Sequence, residues 1–299
     1  MRRIASVLLT ILFLLSPVLG EQEKTVYRLT EPVPFDKGTE TFDLYVCPLL
    51  GADCMLLTCC GEIMLVDMGK ANDYAAIRDV LDGQGITYID IAFNTHPHTD
   101  HLGSMIQILA DYPVGRFMTA FPEDYTGKDV IQVSTLQALH EAQVPVVTVD
   151  DGYTFSLGEA RLQVIRQTRY VNPNPMSAML KITYGERSIL LCADVIGSAQ
   201  GYLAETHDLK ADIFKYPHHG LNSVMREFLS GISPEYAFFT HGYANTAEAQ
   251  MQLDRAGIPY DFATWGEIHL STDGRTWRVF QRLSENGFVW NEKYRKETP

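Results

Sequence analysis

Five apolar, strand-like runs in this chain each lead into a side chain able to hold a metal ion or move a proton. Leu65-Val66 leads into Asp67, Ile91-Ala92-Phe93 into His96, Leu190-Leu191-Cys192-Ala193 into Asp194, Phe214-Lys215-Tyr216-Pro217 into His218 and His219, and Phe238-Phe239-Thr240 into His241. Short apolar runs of this kind read as buried strands. Loops at one edge of a packed sheet converge while the strands hold them rigid, so the pattern requires a layered sheet structure with its chemistry on one edge. The stretch F93-N-T-H-P-H-T-D-H-L-G103 is the densest case, with His96, His98, Asp100 and His101 inside six residues. Four such groups read as a metal site, a hydrogen-bonded polar turn or an accident of sequence, and crowding them has no structural benefit of its own.

The rest of the chain repeats this style. Strands are expected over Phe42–Cys47, Met55–Cys60 and Ile63–Asp67, the last two as a hairpin about Gly61-Glu62, then over Ile89–Asn94 and Val146–Val149. Tyr74, Ile77 and Leu81 at helical spacing predict a helix over Asn72–Leu81, with others over Ser104–Ala110, Val130–Gln143 and Asn245–Ala256. The second half adds strands at Arg161–Ile165, Ala178–Thr183, Ile189–Cys192, Asp212–Lys215, Tyr236–Thr240, Ile268–Ser271 and Trp277–Phe280. Strands and helices are mixed in both halves without a Pro/Ser-rich linker, which points to one layered α/β domain. The expected organisation is a signal peptide over 1–20, a lead segment over 21–39, the domain over 40–283 and a charged tail over 284–299.

Met1-Arg2-Arg3, the apolar run Ile4 to Leu15 and the small residues near Gly20 have the make-up of a secretory signal. That run is shorter than the roughly 20 residues that span a bilayer, so cleavage and a secreted or extracytoplasmic location are expected. Membrane attachment follows only if the signal stays uncleaved. Loss of Arg2 and Arg3 with the signal takes the formal charge from −13 to −15, a surface that repels phosphate backbones and disfavours capture of long nucleic acid. Five cysteines, an odd number without C-x-x-C spacing, leave at least one thiol free in a monomer. They read mostly as core, with one disulfide in the 47–60 region permitted by export. Cys59 and Cys60, neighbours in a strand, should face opposite ways.

In His96-Pro-His98-Thr-Asp100-His101 a tight turn can aim His96 and His98 at one ion, and Asp100 and His101 at a second. Imidazole with carboxylate suits zinc and also accepts manganese or iron. Asp194, at the end of a buried strand, is placed to bridge them. Two cations about 3.5 to 4 Å apart activate a shared water and clamp attacking and leaving oxygens, which is the chemistry of hydrolysis.

The H-x-H-x-D-H motif after a strand resembles the metallo-β-lactamase fold superfamily. Ile63-Met-Leu-Val-Asp67-Met-Gly69 is similar to the family's early aspartate loop, Leu190-Leu-Cys-Ala-Asp194 to its bridging aspartate, and Lys215-Tyr-Pro-His218-His219-Gly220 to its late histidine loop. With Asn172–Leu180 and Pro234–Gly242, the likeness covers roughly residues 40–280. It is strongest to the branch of ComEC-type hydrolase domains of DNA-uptake competence proteins and of secreted phosphorylcholine esterases, which share P-H-H-G. The resemblance implies an α/β, four-layer αββα sandwich with a dinuclear site at its edge. It implies His96 and His98 on the first ion, Asp100 and His101 on the second, Asp194 between them, and Asp67 orienting a ligand. One histidine of P-H-H-G joins the second ion by the same resemblance. His219 is taken for that role, leaving His218 behind the ligands or as proton donor to the leaving group. Asp100 and His218 are thus the expected catalytic side chains.

One departure matters. Many members supply a further histidine to the first ion from the segment equivalent to Asn174–Ala178, which here reads N-P-M-S-A. The first ion is then left with His96, His98, Asp194 and water, a more open site that makes lactam cleavage a poorer fit. His241 reads either as a surface histidine or as a group at the site, and His140, His207 and His269 as structural. Tyr125, Tyr170, Tyr202, Tyr216, Tyr243 and Trp265 read as core or surface, or as the wall of a cation pocket.

The expected protein is an exported hydrolase using two divalent ions, zinc or manganese, on phosphodiester bonds of small-molecule or cell-surface phosphoesters. Its rivals are a lactam, lactone or thioester hydrolase of the same fold and a non-catalytic binding protein that retains it.

Overall fold

The computed structural model describes residues 24–125, 130–169 and 172–285. The expected signal peptide, Tyr170 and nearly all of the tail lie outside them. Sixteen described strands form two sheets. The first half supplies β1 (Val26–Leu29), β2 (Phe42–Val46), β3 (Met55–Cys59), β4 (Glu62–Val66), β5 (Ile89–Asn94), β6 (Val114–Thr119) and β7 (Val146–Thr148). Then follow β8 (Thr154–Leu157), β9 (Ala160–Ile165), β10 (Met179–Tyr184), β11 (Arg187–Leu191), β12 (Ile213–Lys215), β13 (Tyr236–Phe239), β14 (Tyr260–Phe262), β15 (Gly266–Thr272) and β16 (Trp277–Leu283). One sheet has the order β1-β16-β15-β2-β3-β4-β5-β6-β7, the other β14-β13-β12-β11-β10-β9-β8.

The layering follows from alternation along the strands. In β4, Met64 and Val66 face the space between the sheets while Leu65 faces out; in β11, Ile189 and Leu191 face in and Leu190 out. The inner faces close on one apolar layer containing Phe42, Leu57, Phe93, Leu180 and Phe238. Helices α1 (Tyr74–Gly83), α2 (Thr99–Leu102), α3 (Met105–Asp111) and α4 (Val130–Glu141) follow strands of the first sheet, and Ile77, Leu81, Met105, Ile108 and Leu139 cover its outer face. After α5 (Pro173–Met176), helices α6 (Ser198–Thr206), α7 (Arg226–Ile232) and α8 (Ala247–Ala256) cover the second sheet through Leu203, Phe228, Ile232 and Leu253. Three apolar layers separate four layers of structure, the αββα sandwich.

Several expectations shift. Val26–Leu29, assigned to the lead segment, pairs in parallel with β16. Buried Val26 and the Thr25 bonds to the Glu235 carboxylate, at 2.7 and 3.0 Å, tie it into the fold. The helix expected over 72–81 begins as a 3-10 turn at Ala71–Asp73 and runs on to Gly83. The helix expected from Ser104 is preceded by the single turn α2, which carries Asp100 and His101. Cys59 and Cys60 do not face opposite ways. β3 ends at Cys59 and Cys60 turns with φ +51°, bringing the two Sγ atoms to 3.7 Å. All five cysteines are free thiols, four of them buried.

Candidate metal centre

β4, β5, β11, β12 and β13 belong to parallel pairings, so the loops that follow them leave from a common edge of the sandwich. Backbone bonds lock these loops together: Gly51 N to Thr240 O at 2.8 Å, Asp53 N to Asp100 O at 3.0 Å, Ala178 N to Thr95 O at 3.1 Å, and His218 N to Ala193 O at 2.9 Å. Two glycines make the approach close enough. A Cβ at Gly103 would lie 2.4 Å from Thr99 O and 2.6 Å from Ala71 N, and one at Gly220, where φ is +95°, would lie 2.4 Å from Phe239 Cδ1. Asp67, Ala193, His218 and His219 all have positive φ, between 46° and 58°. Such backbone is unfavourable for residues with a Cβ and is held by its surroundings.

Six side chains from these loops meet around Asp194. Its Oδ2 lies 3.7 Å from His96 Nε2, 3.3 Å from His101 Nε2, 3.9 Å from His218 Nε2 and 3.5 Å from His219 Nε2. His98 Nδ1 is 3.1 Å from His96 Nε2, and Asp100 Oδ2 is 3.3 Å from His219 Nε2. The three loops expected to meet therefore do meet. His101 Nε2 and His219 Nε2, both turned toward Asp194 Oδ2, are buried and make no hydrogen bond, and the same holds for Asp194 Oδ1 on the Lys215 side, so these atoms lack the partners buried polar atoms normally have. Lone pairs of imidazole and carboxylate converging on one buried spot form a donor set that fits a divalent cation.

Behind these groups lies a layer that fixes their orientation. Asp67 Oδ2 accepts from His101 Nδ1 at 2.7 Å and from the Thr95 hydroxyl at 2.8 Å, while its Oδ1 accepts from Thr95 N at 2.8 Å. Because the Thr95 hydroxyl donates to Asp67, its oxygen receives His96 Nδ1–H, at 3.0 Å. In both imidazoles Nδ1 is thereby the committed donor and Nε2 is the atom left for the centre, the arrangement that metal-binding histidines use. Asp53 does the same for His219: its Oδ1 accepts from His219 Nδ1 at 3.0 Å and from the Thr240 hydroxyl at 2.6 Å. Asp53, His101, Asp194 and His219 present ligand-capable atoms within 4.8 Å of one another. Asp53, however, meets His219 on the side away from Asp194 and pairs through Oδ2 with the ammonium of Lys215, so we read it as a support. Lys215 is fully buried, donates to Ala193 O at 3.0 Å and stands 3.7 Å from Asp194 Oδ1.

The electrostatics follow from this packing. Burial opposes charge on Asp194 and Asp53, yet His219 and His101 beside the first and Lys215 beside the second hold both well below the usual carboxylate range. Burial likewise opposes charging His219, but Asp194 and Asp53 push its pKa up to about 10. His101 is raised by Asp194 and Asp67, while His96 is lowered by burial and by the charge on His101. Without a cation the cluster thus stores protons on His101 and His219.

Sequence reasoning missed Asp53 and the role of Lys215. Each carries a signal in retrospect: Asp53 is a carboxylate set against Cys54 and Met55 at the start of a buried strand, and Lys215 a cation between Phe214 and Tyr216. His241 is half-buried, its Nδ1 accepting from Gly242 N at 2.7 Å. A Cβ on Gly51 would lie 2.8 Å from its ring. His140, His207 and His269 instead pair with Glu123, Asp151 and Asp43 at 3.3, 3.1 and 2.7 Å. Tyr216 and Trp265 are core residues, and Tyr202 lies under the Arg169 guanidinium at 4.0 Å.

This fold and this edge cluster define a class, and the sequence comparison agrees: residues 47–241 match the model of the metallo-beta-lactamase superfamily, and the chain belongs to that family. It is similar to Competence protein ComA of Neisseria gonorrhoeae, with 26% identity over 242 residues that cover 77% of this chain and 32% of that one. The chain thus spans about a third of that relative's length. Among solved structures, CmlA, a diiron beta-hydroxylase from Streptomyces venezuelae, superposes with a TM-score of 0.53 at 15% identity, over 84% of this chain and 55% of that one. The metallo-beta-lactamase fold protein YhfI from Bacillus subtilis does so with a TM-score of 0.51 at 10% identity, over 75% and 96%. These two likenesses concern the fold.

Proposed function

We propose that the chain is a hydrolase that uses two divalent ions, zinc or manganese, to cleave phosphodiester bonds. The observation that carries this reading is the convergence of His96, His101, His218 and His219 on one oxygen of Asp194, with the Nε2 atoms of His101 and His219 buried and making no hydrogen bond. His96 and His98 would hold one ion, Asp100, His101 and His219 the other, and Asp194 would lie between them. When bound, such a pair supplies an activated water and charge stabilisation for both oxygens of an in-line displacement. Asp67, Asp53 and the Thr95 hydroxyl keep the imidazoles aimed and in the tautomer that leaves Nε2 free. Lys215 offsets part of the buried negative charge. Asp100, partly open to solvent while His101, Asp194 and His219 are buried, is the carboxylate best placed to orient the attacking water and take up its proton.

Phosphorus is favoured over a carbonyl centre because paired cations neutralise anionic oxygens well. A chain of net charge −13 has no general attraction for long nucleic acid, so we infer small or cell-surface phosphodiesters as substrates. A panel of chromogenic phosphodiesters, lactams, lactones and thioesters tests this, with phosphodiester turnover expected to dominate. Acyl turnover without phosphodiester turnover would overturn the substrate class. We also infer export from the composition of residues 1–20. The check is the first residue of the mature protein, expected at Glu21. No helix among the described residues is long and apolar enough to cross a membrane.

A further inference from the structure

We infer that His218 is the third imidazole of the first ion's shell, filling the place that the N-P-M-S-A segment leaves open; this rests on the two-ion reading above. The backbone supplies the first reason. His218 (φ 49°, ψ 45°) and His219 (φ 56°, ψ 2°) are consecutive residues in the left-handed region, followed by a glycine that no other residue could replace without meeting Phe239. Two adjacent strained residues turn both imidazoles into one pocket, with Nε2 atoms 3.9 and 3.5 Å from the same carboxylate oxygen.

The hydrogen bonds supply the second. His218 Nδ1 lies 2.7 Å from Asn222 Oδ1. An amide oxygen only accepts, so Nδ1 carries the proton and Nε2 keeps its lone pair. His218 is thus prepared in the same manner as His96, His101 and His219, each of which gives its Nδ1–H to an oxygen and turns Nε2 toward Asp194. An imidazole in this tautomer has no Nε2 proton to give a leaving group, so the arrangement argues against the donor role expected from sequence. Asn174, from the segment where the family's histidine is missing, approaches the same lone pair with Nδ2 at 3.4 Å, and its own Oδ1 is buried without a hydrogen bond. At that distance the contact is weak and yields readily to an ion.

Ligand counts supply the third. Asp100, His101, His219 and Asp194 give the second ion four protein groups, the usual number for zinc. The first has His96, His98 and Asp194, and His218 brings it to the same number.

The test is zinc titration of the full chain against a chromophoric chelator, with folding followed by circular dichroism. Wild type is expected to bind two equivalents. H218A and H98A should each keep one tight equivalent and weaken the other by about tenfold or more. N222A, which leaves the imidazole in place but removes its acceptor, should weaken that same equivalent by about tenfold and keeps the test valid should H218A not fold. H101A should weaken the other equivalent. Two wild-type-like equivalents in both H218A and N222A would overturn the assignment of His218 while leaving the two-ion reading intact. Fewer than two equivalents in wild type would overturn the two-ion reading itself.

Discussion

Asp194 owes its role to what surrounds one oxygen: four imidazole nitrogens between 3.3 and 3.9 Å away and an ammonium behind the other oxygen. Replacing it with Asn keeps the shape but removes the charge between the two ion positions. Turnover of a chromogenic phosphodiester should fall by at least about a hundredfold, with melting of the metal-free protein changed far less; unchanged turnover would remove Asp194 from the chemistry. Lys215 makes the opposite prediction. Lys215→Met leaves Asp53 and Asp194 without their buried cation, and removing one partner of a buried pair typically costs about 3–5 kcal/mol. Denaturant unfolding of the metal-free protein should show a loss of that size, and zinc should restore part of it by supplying positive charge nearby. The reach of sequence reading is visible at the same scale. His96, His98, Asp100 and His101 announce themselves because they sit in one short motif, and Asp194 because it ends an apolar strand. Asp53 does not, since its partner His219 lies 166 positions away and only the fold joins them.

At the level of the elements, the site is built by the turns that end strands rather than by the strands. Gly220 shows this most sharply, because it combines φ +95° with a Cβ position 2.4 Å from Phe239. Gly220→Ala should destabilise the protein by more than about 1 kcal/mol and displace His218 and His219. Chemical denaturation and zinc affinity should therefore fall together, and a variant with intact zinc affinity would contradict the proposed function of this turn. Strands such as β4 and β11 were legible because they hold the continuous apolar runs Ile63–Val66 and Ile189–Leu191, as strands buried on both faces do. β6 was not: Gly115 and Arg116 interrupt V-G-R-F-M-T, and only its pairing with β5 and β7 makes it a strand. The facing of Cys59 and Cys60 was misjudged for a related reason, since alternation holds only while the strand lasts and β3 stops one residue early.

For the whole molecule, the sandwich holds a cluster of carboxylates and imidazoles whose negative charge, without metal, is offset by Lys215 and by protons on His101 and His219. His219 has its pKa raised from the ordinary value near 6.5 up to about 10. The stabilisation from its charged form is therefore complete below about pH 6.5 and is lost as pH rises through about 10. The melting temperature of the metal-free protein should decline over that interval and that of the zinc-loaded protein much less. For the same reason zinc binding at pH 7.5 should release protons. Titration calorimetry in buffers of different ionisation enthalpy reads this directly, and uptake without release would contradict the stored charge. The most direct test of the central claim is a crystal structure of the zinc-loaded protein with anomalous data collected at the zinc edge. The account predicts two peaks flanking the Asp194 carboxylate, one beside His96 and His98 and the other beside Asp100, His101 and His219. A single peak, or peaks away from Asp194, would contradict it.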